Sequence, residues 1–264
     1  MAERLTGKSA VVTGAASGMG KAIALSFLKE GANIVAFDIN ETRLEELGDE
    51  VAGLGFSAQF RAAKGNITSN EDCANVVKAC ADAFGTCNVL SHNAGIADSF
   101  HMVDEMDDAV WDHLLAVNLT GSMKICRAAL QYFLANEVKA SIVMITSNAA
   151  FESCTGGPAY TASKAGANAL MKSIAFEYGR KGIRCNSVCP GPVATNIAES
   201  MGNFSQNGFS VHLQTGYNAH NSEWICKEIA APDDIAPLSV YLASDESNFV
   251  NSASIIIDGG VCLG

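Results

Sequence analysis

The 264-residue chain has no run of 18 apolar residues, so no membrane-crossing helix is expected. It has no basic run, and its formal net charge is −11 with a pI near 4.8. Nucleic-acid affinity depends on Lys and Arg neutralising phosphates, so a nucleic-acid partner is not expected. An anionic membrane surface is disfavoured on the same ground. The opening M-A-E-R-L-T-G-K lacks an apolar signal segment. There is no C-x-x-C pair among the nine cysteines, and Cys73, Cys80 and Cys87 fall on separate elements with no histidine joining them. A metal site is therefore not expected, and reduced thiols in a cytoplasmic protein are the natural account. No proline- or serine-rich linker, repeat or low-complexity tract interrupts the chain, so residues 1–264 read as a single domain with a substantial core.

What is present is an alternation of short apolar runs with helical periodicity. The pattern predicts strands near 9–13, 33–38, 57–62, 87–91, 140–146, 183–189 and 254–258. It predicts helices near 18–30, 40–53, 69–84, 108–135, 158–180 and 233–244. Repeated β-α units imply an α/β fold, a Rossmann-like doubly wound parallel sheet of about seven strands with helices on both faces. In such sheets ligands bind beyond the carboxyl ends of the strands, where the strand order reverses.

The run Ala10-Val11-Val12 is followed at once by Gly14, Gly18 and Gly20, then by Ile23, Ala24, Phe27 and Leu28 at helical spacing. A strand, a glycine turn and a helix in that order offer close backbone approach and a positive helix end to a pyrophosphate. The second strand ends at Asp38, an acid placed to accept from ribose hydroxyls and to repel a 2′-phosphate. Ala15, Ala16 and Ile39 supply no cation nearby, and Arg43 reads as a helix-surface residue, so NAD is expected over NADP.

Tyr160 and Lys164 lie four residues apart, on one helix face, with Ser147 thirteen residues upstream. A fixed cation favours the phenolate, and a serine hydroxyl could hold the same substrate oxygen. Those are the groups alcohol–carbonyl interconversion requires.

In order along the chain stand T-G-A-A-S-G-M-G (Thr13 to Gly20), H-N-A-G (His92 to Gly95), Asn118 in A-V-N-L-T-G, then Ser147, Tyr160, Lys164 and P-G-P-V-A-T (Pro190 to Thr195). Together they resemble the short-chain dehydrogenase/reductase family over nearly the whole chain. The resemblance implies that Tyr160 is the general acid/base, Lys164 its tuner and a ribose ligand, Ser147 the orienter of the substrate oxygen, and Asn118 the holder of a relay water. It implies a cofactor set of Gly14, Ser17, Gly18, Met19, Gly20, Asp38, Ile39, Asn66, Ile67, Asn93, Ala94, Gly95, Tyr160, Lys164, Pro190, Gly191, Val193 and Thr195. Asn66 stands where the family usually has an aspartate toward the adenine amine. His92 stands where it has asparagine, and reads as a satisfied strand-end histidine.

The segment from Thr195 to about Pro232 breaks the alternation and carries Met201, Phe204, Phe209, Val211, Leu213, Tyr217 and Trp224. In the family this region covers the substrate, and the apolar groups suit a fairly large, partly apolar alcohol. The expected function is an NAD(H)-dependent interconversion of secondary alcohol and ketone, with a hydroxysteroid or bile acid as the leading substrate. Sugars and polyols, small diols and 3-oxoacyl thioesters stay open, and a non-catalytic dinucleotide sensor is the alternative of another class. The family also implies a homotetramer, with Leu114, Val117, Met123, Leu170, Met171 and Ile174 on the two long helices near the interface.

Overall fold

A computed structural model describes residues 3–153, 156–201, 205–212 and 229–260. Seven parallel strands form one sheet: β1 Ser9–Thr13, β2 Asn33–Asp38, β3 Phe60–Lys64, β4 Val89–His92, β5 Ala140–Ile145, β6 Ile183–Pro190 and β7 Ser254–Ile257. Their order is β3-β2-β1-β4-β5-β6-β7, so the winding reverses between β1 and β4. The helices are α1 Gly18–Lys29, α2 Glu41–Gly53, α3 Asn70–Phe84, α4 Asp108–Leu115, α5 Ser122–Ala135, α6 Pro158–Tyr178, α7 Gln206–His212 and α8 Pro232–Ala243.

The inner strands are largely apolar and buried because both sheet faces are covered, while the edge strand β3 exposes Arg61 and Lys64. Successive side chains alternate between two cores. Ala10, Val12, Ile34, Ala36, Val143 and Ile145 join α1, α2 and α8 on one face. Val11, Val35, Phe37, Ile142 and Met144 join α3, α5 and α6 on the other.

Three expectations need correction. Ser57–Gln59 forms a 3-10 turn, and β3 runs Phe60–Lys64 rather than 57–62, because pairing with β2 sets Phe60 opposite Ile34. The helix expected over 108–135 is broken by a π-helical turn, Ala116–Gly121. Of the residues expected near an assembly interface, Leu114, Met171 and Ile174 are core, while Val117 and Leu170 pack against it.

The segment after β6 is tied at its two ends by a parallel bridge between Val193 and Ala230. Within it, Phe209 stacks edge-on against Phe100 at 5.3 Å, and the Ser205 N–H donates to the Ser99 carbonyl at 2.9 Å. Phe204, Leu213, Tyr217 and Trp224 lie outside the described residues.

Candidate active site

The reversal of strand order opens a crevice at the carboxyl ends of β1 and β4, and the glycine loop sits there. Gly14 has φ +60°, and a Cβ on it would stand 2.9 Å from the Ala94 backbone. A Cβ on Gly20 would stand 2.0 Å from the Gly14 carbonyl oxygen, and one on Gly18 3.0 Å from Thr195 Cγ2. The loop is thus packed to backbone contact, and it meets the start of the segment after β6. Ser17 precedes α1 without capping it by its side chain, and no acid lies in the first turn. The start of this 12-residue helix therefore has no side-chain cap and no acidic first turn to offset its dipole. Met19 packs against the core.

Asp38 closes the other side of the loop. Its Oδ2 accepts from the Ala16 N–H at 3.0 Å and its Oδ1 from the Asn40 N–H at 3.0 Å. Ile39 is 65% exposed. Arg43 turns away to pair with Glu199 at 2.8 Å. The Asn66 Oδ1 accepts from the Thr68 N–H at 2.9 Å, so one of its lone pairs is already engaged. Ile67 puts its side chain against Gly121 in the core.

Thr13, which carried no sequence signal as a side chain, organises the β4 end. Its Oγ1 accepts from the N–H groups of Asn93 (3.0 Å) and Ala94 (3.1 Å). Asn93 spends its amide N–H groups on Thr13 and Ser91, while its Oδ1 is buried without a partner. His92 is satisfied on both ring nitrogens, by Thr13 Oγ1 at 2.8 Å and Ser122 Oγ at 2.7 Å. Burial first, and the Lys164 charge second, push its pKa down to about 3, so it stays neutral.

The proton-handling candidates gather at the next strand ends. Asn118 lies inside the π turn, the kind of irregularity that re-aims a side chain. Its amide brackets Ile96, accepting from its N–H and donating to its carbonyl, each at 2.9 Å, and it donates to Ser163 Oγ at 3.1 Å. Ser163 in turn donates to the Tyr160 carbonyl at 2.7 Å. A Cβ on Gly95 would stand 3.2 Å from Asn118 Oδ1 and 3.3 Å from Lys164 Nζ, so these two polar atoms share the space that this glycine leaves open. The Lys164 ammonium lies 5.5 Å from the Tyr160 ring centre and donates to the Ile145 carbonyl at 3.4 Å. The Ser147 hydroxyl donates to Asn148 Oδ1 at 3.3 Å and accepts from the Ala149 N–H at 3.1 Å.

Electrostatically the pair differs from the sequence expectation. Burial pushes Tyr160 up to about 12, opposed by the Ser147 hydroxyl and assisted by the Asp98 charge. Burial pushes Lys164 down to about 8, with the Cys189 thiol acting the other way. Desolvation of both groups outweighs the help that an ammonium gives a phenolate.

Pro190 ends β6. A Cβ on Gly191 would stand 2.6 Å from Asp258 Cβ, so that turn admits no larger residue without moving β7. Val193 and Thr195 follow, the Thr195 Oγ1 accepting from the Ile197 N–H at 3.4 Å. The structure therefore brings the glycine loop, Asp38, Asn93, Ala94, Gly95, Asn118, Ser147, Tyr160, Lys164 and Thr195 around one crevice.

A sequence profile described as enoyl-(acyl carrier protein) reductase matches residues 14–262. A 3beta-hydroxysteroid dehydrogenase 2 of Eggerthella lenta is 37% identical over 256 residues, covering 97% of this chain and 95% of that protein. The 3-oxoacyl-[acyl-carrier-protein] reductase FabG of Thermotoga maritima is 32% identical over 260 residues, covering 98% and 100%. A short-chain type dehydrogenase/reductase from Mycobacterium ulcerans superposes with a TM-score of 0.85 at 25% identity, covering 98% and 91%. The crystal structure of gox2181 gives a TM-score of 0.85 at 25% identity, covering 99% of each chain. The chain belongs to the short-chain dehydrogenase/reductase family of oxidoreductases, which bind a nicotinamide dinucleotide.

Proposed function

We propose that this chain is an NAD(H)-dependent secondary-alcohol dehydrogenase and ketone reductase acting on a hydroxysteroid-class substrate. The carrying observation is the cluster of Ser147, Tyr160, Lys164 and Asn118 beside the glycine-lined crevice. A dinucleotide sensor has no use for that cluster.

The crevice fits a dinucleotide. The close-packed Gly14 and Gly20, the uncapped start of α1 and the unpartnered Asn93 Oδ1 suit its phosphates and adenosine, and Asp38 suits a free ribose 2′-hydroxyl. When bound, the nicotinamide supplies or takes up a hydride. Tyr160 gives its proton to the carbonyl oxygen in reduction and takes it back in oxidation. Ser147 holds that oxygen by its hydroxyl. Lys164 favours the phenolate, and Asn118, whose Oδ1 lies with the Lys164 ammonium about Gly95, stands where the proton given up by Tyr160 is replaced from solvent.

The steroid class is supported by the Eggerthella lenta relative and by the apolar side chains of Phe100 and Phe151 on loops and of Phe209 on α7. A second reading, reduction of a 3-oxoacyl thioester, is favoured by the FabG relative and the profile match. The net charge of −11 weighs against an acidic carrier protein, because like charges repel at encounter.

We also read the chain as one catalytic domain in the cytoplasm. The six described cysteines are all free thiols, which suits a reducing compartment. Oxidation of hydroxysteroids and reduction of oxosteroids, measured beside acetoacetyl thioesters, sugars and diols with NAD(H), test the reading. Turnover of the thioester alone would select the second reading, and no turnover of any of them would favour the sensor.

A further inference from the structure

Asp98 is the only carboxylate-bearing side chain that is buried among the described residues, at 1% exposure, and it belongs to none of the motifs. It lies on the loop after β4, and both of its oxygens are spent on the start of α6. Oδ1 accepts from the Gly157 N–H at 3.1 Å and the Phe100 N–H at 3.4 Å, and Oδ2 accepts from the N–H of Tyr160 itself at 3.0 Å. Gly157, the residue before α6, has no side chain with which to cap the helix. A Cβ there would stand 2.3 Å and 2.4 Å from the two carboxylate oxygens. No cation pairs with this carboxylate among the described residues. Backbone N–H groups and the positive end of a 21-residue helix hold it instead.

We propose that Asp98 is a positioning residue for the reaction: it pins Tyr160 by the main chain and sets a negative charge at the backbone of the tyrosine, as a counterweight to Lys164. This rests on the reading of Tyr160 as the proton-transfer group. The direction follows from the charges on every side. Lys164, one turn on, favours the phenolate. Ser147, just past the end of β5, acts to lower the phenol's pKa. His92 at the end of β4 is neutral, and the Cys189 thiol on β6 faces Lys164. His101 and Glu152 stand on the flanking loops. Among these groups Asp98 is the one whose charge pushes the Tyr160 pKa up. Its consequence is a tyrosine kept in the proton-bearing form, which ketone reduction uses, at the expense of the phenolate, which alcohol oxidation uses.

The test is the pH profile of kcat/KM for alcohol oxidation at saturating NAD, in wild type, Asp98→Asn and Asp98→Ser. Removing the charge is expected to move the limb that reports the phenolate down by about one pH unit, a ~10-fold change in proton affinity, with KM for NAD unchanged. A role confined to capping α6 would lower kcat and leave the limb in place, and that result overturns the proposal. Should Asp98→Asn not fold, Asp98→Ser is read by the same criterion. Should both fail, Gly157→Ala decides, since it displaces the carboxylate without removing it. Activity surviving in Tyr160→Phe would instead sink the reading of the site, and is scored separately.

Discussion

Lys164 holds its ammonium 5.5 Å from the centre of the Tyr160 ring, and burial drives the two groups apart on the pH scale: the phenol up to about 12, the amine down to about 8. In both cases loss of solvent favours the neutral form. Any ionisation of one depends on the charge of the other and of Asp98.

Replacing Tyr160 by phenylalanine removes the hydroxyl alone. The ring position and the main-chain bonds of residue 160 to Asp98 and Ser163 remain. Turnover should fall by about 10²–10⁴-fold, the usual contribution of positioned proton transfer, while cofactor affinity holds. Stopped-flow binding of NADH together with steady-state rates checks both halves; near-normal turnover would remove the central claim.

Lys164→Ala should displace the oxidation profile toward higher pH, because the phenolate loses its neighbouring cation, and should raise KM for the cofactor if the ammonium holds the ribose. The displacement is opposite in sign to that expected for Asp98→Asn. An unchanged profile with unchanged KM would exclude both roles for the lysine.

Much of this site was readable in the sequence because its parts follow apolar runs. β1, β2, β5 and β6 are buried on both faces, so Val11, Val35, Ile142 and Cys185 mark them and the residues at their ends follow. β3 was less legible because it is an edge strand. Arg61, Ala62 and Lys64 are exposed, and only Phe60 carries the hydrophobic signal. The π turn was hidden because the partner of Asn118 within it, Ile96, lies 22 residues away. Asp98 was hidden for the same reason, since its partners lie 59 and 62 residues on. The one local hint was that Gly157 cannot cap α6, which calls for a cap from elsewhere.

His92 links stability to pH. Its folded-state pKa lies near 3, below the ordinary 6.5, so between those values the unfolded chain binds more protons than the folded one. Its contribution is fully present above pH 6.5 and is lost as pH falls toward 3, at up to about 1.4 kcal/mol per pH unit. His92→Asn should therefore flatten the fall of Tm between pH 6 and pH 4 relative to wild type. Parallel Tm curves for the two proteins would show that His92 does not titrate on unfolding.

Assembly should rest on surfaces that the core does not use. Phe176 on α6 is 89% exposed, Phe249 before β7 is 103% exposed, and Ile256 lies on the edge strand β7. An unpaired edge beside exposed aromatic groups suits contact with further copies of the chain. We expect a homotetramer, four times the 27.5 kDa protomer, and a smaller particle for Phe176→Glu. Light scattering at working concentration decides; a 27.5 kDa particle in the wild type would contradict the expectation.

Cofactor choice should follow from Asp38. Its carboxylate is fixed by the N–H groups of Ala16 and Asn40, so it cannot swing aside from a 2′-phosphate without releasing the glycine loop. The nearest cation along the chain, Arg43, is held by Glu199, and Ile39 offers no charge. Attraction of a ribose hydroxyl and repulsion of a phosphate then act in the same direction. A preference for NADH over NADPH of about 100-fold in kcat/KM corresponds to about 2.7 kcal/mol, well within what one fixed charge and one lost hydrogen bond supply. Ile39→Arg costs little in packing, because that side chain is 65% exposed. Combined with Asp38→Ala it should relax or reverse the ratio, though the loss of the two N–H acceptors should also lower Tm. Asn66 acts on the adenine side and is common to both cofactors, so Asn66→Asp should raise the affinity for each without changing their ratio. Steady-state kinetics with NADH and NADPH at matched concentrations give the answer: equal efficiency, or a preference for NADPH, would mean that Asp38 braces the loop and does not face the ribose.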